Sequence, residues 1–148
     1  MLLHMKILVP FDASPLSRKA VREAFEMYDD PAIIVYHVSS LYEPGFEIRD
    51  DGVHEPYIGS DRWYAMERET AEEVLADAES LAEEYGRTIE TDWDIGDPVR
   101  LVPEYARDRE VDHVVMGVHG QADPDRSWIG RIAEAMAERS PVSVTLVR

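Results

Sequence analysis

The stretch GVHGQADPDRSWIGR, Gly117 to Arg131, carries three glycines at fixed spacing and a cation directly after the last. Two residues separate Gly117 from Gly120, and nine more precede Gly130. Glycines so placed let backbone amides approach a phosphate, because no Cβ stands in the way. The free amides and dipole of a helix beginning near Gly130 would favour the same anion, and Arg131 would add a charge-assisted hydrogen bond. Such glycines also suit ordinary turns and tight helix–sheet packing, so spacing alone leaves both roles open. Asp123 and Asp125 oppose an anion there unless a magnesium ion lies between them and the phosphates.

Other chemistry is sparse. The five histidines, His4, His37, His54, His113 and His119, show no helical metal-ligand spacing, so no metal site is expected. His119 reads as a turn position within the glycine stretch. Ser14 and Ser127 read as helix caps, since no histidine–carboxylate pair accompanies either one. No residue presents itself as a catalyst.

The elements that must hold these residues alternate along the chain. MKILVPF is a near-continuous apolar run closed by Pro10, the pattern of a buried strand. Ser14 then offers a cap and Pro15 a first helical residue, with Leu16, Ala20, Val21, Ala24, Phe25 and Tyr28 on one face. Ala32–Val38 is a second strand. Ser39–Asp61 shows no period and reads as a long loop. A helix over 62–85 follows, with Ala71, Val74, Leu75, Ala78, Leu81, Ala82 and Tyr85 inward and Gly86 as its stop. Its acidic residues form a solvated outer face.

Thr88–Ile95 alternates as an edge strand does. Asp97 and Pro98 open another helix, with Leu101, Val102, Tyr105 and Ala106 inward and Pro103 predicting a kink or an irregular first turn. DHVVMGV is a fourth strand. The last helix is predicted from Ser127, with Ile129, Ile132, Ala133, Met136 and Ala137 inward, before the strand VSVTLV. Five alternations imply one doubly wound α/β domain over 1–148, an open parallel sheet with helices on both faces. Ligands of such sheets sit beyond the carboxyl ends of strands where the winding reverses. With the first strand central, Asp12 and Gly117 flank that crevice.

Charge narrows the partners. Fifteen Lys and Arg face 31 Asp and Glu, a formal net charge of −16. Nucleic acid and anionic membranes are therefore excluded as partners, since binding them requires cations. Only Lys6 and Lys19 are lysines, against thirteen arginines. An acid-rich, lysine-poor surface suits molar salt, where the screening length falls to about 3 Å, so a halophilic source is expected. Without cysteine the chain suits a reducing cytoplasm, and no segment has the ~20 apolar residues of a membrane span.

The segments ILVPFDASPLSRKAVREA, the GDP turn at Gly96–Pro98, VDHVVMGVHG and SPVSVTLVR together resemble the universal stress protein family over nearly the whole chain. The resemblance implies a flavodoxin-like, adenine nucleotide alpha hydrolase-like sandwich of strand order 3-2-1-4-5. It also implies a split between members that bind ATP and members that do not. The binding pattern is Gly, two residues, Gly, nine residues, Gly, then Ser or Thr, which Gly117, Gly120 and Gly130 match. Carried over, Asp12 would meet the adenosine end of the nucleotide, His37 and Val38 would present backbone to the base, and Pro10 and Ala13 would also belong to the nucleotide site. Met116, Gly117, His119, Gly120, Gly130, Arg131 and Ile132 would surround the phosphates.

Two positions depart from the pattern. Arg131 stands where a small hydroxyl residue is usual, and Ala13 where DGS is common. Arg131 either pairs with phosphate or fills its place, the latter giving a nucleotide-free interaction protein. A phospho-acceptor role for Asp12, as in response-regulator receivers, fails for want of a lysine after the fifth strand. A nucleotidyl transferase would need a phosphate loop after the first strand. The resemblance also implies a homodimer through the edge strand Val142–Val147, whose unpaired backbone a two-fold pairing would satisfy. The expectation is an adenine nucleotide (ATP) binding stress-response protein, with Mg2+ as a companion ion.

Overall fold

The computed structural model describes residues 4–40, 47–49, 52–54, 58–119 and 130–148. Five strands form a parallel sheet: β1 (Lys6–Pro10), β2 (Ala32–Ser40), β5 (Glu90–Gly96), β6 (His113–Gly117) and β7 (Ser143–Val147). Their spatial order is β5-β2-β1-β6-β7, the doubly wound 3-2-1-4-5 arrangement when only these five are counted. Helices α1 (Pro15–Met27), α2 (Asp61–Glu84), α3 (Pro98–Asp108) and α4 (Arg131–Arg139) connect them. β1 is flanked by β2 and β6, so the winding reverses between β1 and β6.

Each strand of the sheet's centre is apolar on both faces, because each face is covered. Ile7 and Val9 of β1 point with Ile33, Val35 and Val115 toward α1 and α2, where Ala20, Val21, Ala24, Leu75, Ala78 and Leu81 meet them. Leu8, Ile34, Tyr36, Val114 and Met116 face the other way, onto Val102 and Ala106 of α3 and Ala133 and Met136 of α4. The helices begin as their caps dictate. Ser14 Oγ accepts from Ser17 N, and Pro15 takes the first position. Asp97 Oδ1 accepts from Val99 N ahead of Pro98, and Ser60 caps α2. Gly86, at φ +64°, closes α2 in the left-handed region. α3 runs through Pro103, and its first turn is irregular in that Asp97 O accepts from both Arg100 N and Leu101 N.

Several sequence expectations need correction. The stretch read as a loop at Ser39–Asp61 contains an antiparallel pair, β3 (Glu47–Arg49) with β4 (Gly52–His54). Three-residue strands are too short to show a period. The second strand continues to Ser40, and the third of the sheet starts at Glu90, not Thr88. The last helix starts at Arg131 with Gly130 as its cap, so Gly130 does not lie in a first turn begun at Ser127. Ser127 and Ile129 fall outside the described residues. Within α4, Ala135 is buried and Ala137 exposed, the reverse of the expectation for Ala137.

Edge strand β5 is tied to α3 by a polar ladder. The rings of Tyr36 and Tyr105 stack with centroids 3.9 Å apart. Tyr36 Oη donates to Asp94 Oδ2 at 2.7 Å, and Tyr105 Oη to Asp92 Oδ2 at 2.9 Å. Arg109 reaches Glu90 and also donates to Tyr105 Oη. Burial disfavours both phenolates and the accepting carboxylates add to the effect, so both hydroxyls keep their protons far above the ordinary phenol range. Acidic side chains on an edge strand also discourage pairing with another chain.

Candidate functional site

Topology places the expected crevice beyond the carboxyl ends of β1 and β6. After β1 ends at Pro10, Phe11 N donates to Tyr36 O at 2.9 Å and keeps the chain beside β2. Asp12 Oδ1 then accepts from Ser14 N at 2.9 Å, a local turn that delivers the chain into α1. Ala13, between them, has φ +61°. That left-handed conformation costs a non-glycine residue about 1 kcal/mol or more, so the usual glycine here has a conformational reason. Backbone strain of this kind gathers at functional sites.

Across the switch point, Gly117 ends β6 against α1. A Cβ on Gly117 would lie 2.8 Å from Leu16 Cβ and 3.1 Å from His119 O. This glycine is thus required for helix–sheet packing. Val118 N donates to Val147 O at 2.9 Å, and Gly130 N donates to Val118 O at 2.8 Å. The second bond anchors the start of α4 to the end of β6. It also engages the Gly130 amide, which leaves the next three, of Arg131, Ile132 and Ala133, without an intrahelical acceptor. Gly130 has φ −66° and ψ 160°, values open to any residue, so the backbone conformation does not require glycine here.

The remaining site residues divide. Pro10 closes β1, and Met116 is buried in the core beneath α3 and α4. His37 Nδ1 hydrogen-bonds Phe11 O at 2.9 Å, so its ring braces the Asp12 turn. Val38 points to the opposite face and packs against the α3–α4 core. Both lie inside β2, which ends two residues later than expected. His119 is half-buried just beyond β6, Ile132 packs on the core, and Arg131 is exposed at the first position of α4. Gly120, Asp123, Asp125 and Arg126 lie outside the described residues.

Sequence reasoning missed three side chains near the β2 end of the sheet. Ser39 sits on the same face of β2 as His37, 5% exposed, and its Oγ has no hydrogen-bond partner. An orphaned buried hydroxyl costs stability and calls for an explanation. Trp63 and Glu67 are buried in the first turns of α2, continuing the inward stripe of Ala71 and Leu75. A serine at a strand end carries no periodic signal, whereas the stripe could have been traced back to Trp63. Among the described residues, no three His, Asp or Glu side chains stand close enough to hold a metal. No described helix is long and apolar enough to cross a membrane.

Known proteins share this architecture. The sequence profile of the universal stress protein family matches residues 4–148. A universal stress protein of Methanocaldococcus jannaschii is 28% identical over 149 residues, covering 99% of this chain and 83% of that protein. The universal stress protein of Archaeoglobus fulgidus in complex with dAMP superposes with a TM-score of 0.66 at 20% identity, over 99% of this chain and all of the other. A universal stress protein in complex with cAMP gives 0.69 at 20% identity, over 98% and 97% of the two chains. At such identities the likeness establishes the fold. The profile, which spans both loops of the crevice and all five strands of the sheet, settles the rest: this chain belongs to the universal stress protein family.

Proposed function

We propose that the crevice between the β1 and β6 loops binds an adenine nucleotide, ATP with Mg2+, in a stress-response role. The observation that carries this is the start of α4, tied to the end of β6 by the Gly130–Val118 bond, where the amides of Arg131, Ile132 and Ala133 lack helical acceptors. The Ser39 hydroxyl, buried and unpaired, offers a further hydrogen bond at the β2 end of the same crevice. Structures of relatives in complex with cAMP and with dAMP support the adenine class.

The roles follow from position. Asp12 and the Pro10–Ala13 backbone meet the adenosine, and the His37–Val38 segment lies toward the base. The end of β6 at Met116 and Gly117, with His119 and Gly120 after it, would lie beside the phosphates, which would rest on the amides of Arg131, Ile132 and Ala133. The exposed Arg131 side chain is free to reach the phosphates from outside the crevice, which favours pairing over replacement. Asp123 and Asp125 would hold the magnesium ion.

The chain acts as one domain and as a homodimer through β7, whose outer edge has no strand beside it among the described residues. A cytoplasm of high salt fits the net charge of −16. Both lysines are engaged with backbone, Lys6 Nζ with Arg109 O and Lys19 Nζ with Arg148 O.

Calorimetry with ATP at molar KCl, with and without magnesium, tests the reading. Saturable heat that Gly130→Val abolishes in a folded protein is the expected result. Absence of heat or thermal shift at millimolar ATP would overturn it. Arg131→Ser should weaken ATP binding several-fold, and tighter binding by that variant would show the guanidinium occupying the phosphate place.

A further inference from the structure

A groove of roughly 280 Å³ lies along α3, lined also by the last residue of α4 and by Pro141 in the turn into β7. None of its lining residues belongs to the crevice. Its walls are Val99, Pro103 and Pro141, and its charged groups are Arg100, Arg107, Arg139 and Glu104. Three of the chain's fifteen cations thus share one groove of a molecule whose net charge is −16. Glu104 is paired with Arg100 at 3.1 Å, which leaves two cations in excess. Among the described residues, Arg107 pairs with its exposed neighbour Asp108 and Arg139 makes no ion pair. The turn at Pro141 is fixed, because Ser140 Oγ donates to Val142 O and accepts from Val142 N.

The spacing of the cations selects the ligand. Arg100 and Arg107 are seven residues apart on one face of α3, about 10 Å along the axis. That span is too wide for one phosphate or one carboxylate to meet both. A peptide in the extended polyproline II conformation advances about 3.1 Å per residue with three residues per turn, so acidic side chains at every third position lie on one face about 9 Å apart. Each guanidinium offers a planar fork matched to a carboxylate. The proline walls carry no N–H to leave unpaired and suit the apolar stems between the charges. A long nucleic acid would meet the surrounding acidic surface, whereas a short acidic segment touches the groove alone.

We infer that this groove docks an acidic, extended segment of a partner protein, independently of whether the crevice holds a nucleotide. The test uses the intact chain at the lowest salt in which it stays folded, following the arginine Nε–H signals by NMR. The probe is a capped peptide of four Glu-Gly-Gly repeats, with its Gln-Gly-Gly counterpart as control. The glutamate peptide should shift the Arg107 and Arg139 signals saturably, and the glutamine peptide should not. The doubly substituted R107Q/R139Q chain should bind at least tenfold more weakly with its melting temperature and ATP response unchanged. Equal binding of both peptides, or of wild type and double variant, would overturn the proposal. So would inorganic phosphate displacing the peptide at equal concentration, which would mark a single-anion site. Arginine-dependent self-association without peptide binding would assign the groove to a second copy and overturn it too.

Discussion

The two ends of the sheet treat their polar groups in opposite ways. At the amino ends of the strands, nearly every donor has an acceptor. Lys6 Nζ caps α3 at Arg109 O at 3.0 Å, and Lys6 N donates to Asp112 Oδ2 at 2.8 Å. A chain of contacts runs from Tyr28 Oη to His113 Nδ1 at 3.0 Å, and from His113 Nε2 to Thr145 Oγ1 at 2.8 Å. At the carboxyl ends stand a left-handed alanine, an orphaned serine hydroxyl and a helix start with open amides. The closed end serves stability. The open end holds unsatisfied groups that a bound anion and base would satisfy, which is where a ligand belongs.

Substitutions should separate the two ends, and the largest effect is expected at Gly117. A valine there must displace Leu16, so Gly117→Val should lose about 2 kcal/mol by overpacking, seen as a melting point lowered by roughly 4–8 °C. It would strike the fold first and the crevice only through the fold. Next comes the closed end. Burial lowers the His113 pKa below its ordinary value, because the charged ring is disfavoured. Its contribution is therefore complete above about pH 6.5 and lost as pH falls through the lower folded value. Denaturant midpoints measured from pH 8 to 5 should show that loss in wild type and a flatter profile in His113→Asn, with ATP affinity untouched.

Smaller effects should run the other way at the open end. Ala13→Gly relieves the left-handed strain and should stabilise the fold by about 0.5–1 kcal/mol, read as a raised denaturant midpoint. Ser39→Ala removes a hydroxyl that lacks a partner, so stability should hold or rise by up to about 1 kcal/mol. Its ATP affinity should nevertheless fall several-fold. A variant that gains stability and loses ligand is the mark of a group kept for binding. If Ser39→Ala loses stability instead, the hydroxyl is structural and the contrast between the ends narrows.

Much of the fold was legible in the sequence because its signals are local. The apolar runs of β1 and β2, the Ser14–Pro15 and Asp97–Pro98 starts and the Gly86 stop each act over a few residues. The pair β3–β4 escaped because three residues cannot display an alternation. The start of α4 was misplaced because Ser127 and Gly130 are both competent caps, and tertiary context decides between them: the Gly130–Val118 bond pins the chain at Gly130. The position of Asp12 just past β1 was legible from the apolar run before it. The φ of Ala13, the isolation of Ser39 and the packing duty of Gly117 depend on neighbours far along the chain. So does the Tyr36–Tyr105 stack, which joins two elements that are distant in sequence.

An adenine nucleotide held at the open end would perturb that end and leave the closed end untouched. Backbone amide NMR of the folded chain in molar KCl, titrated with MgATP, tests it most directly. The expected result is saturable shifts concentrated at Asp12, Ala13, Ser39 and Arg131–Ala133, with Lys6, Asp112 and His113 at the closed end unmoved. Shifts absent at millimolar MgATP, or centred on the closed end or on the α3 groove, would contradict it.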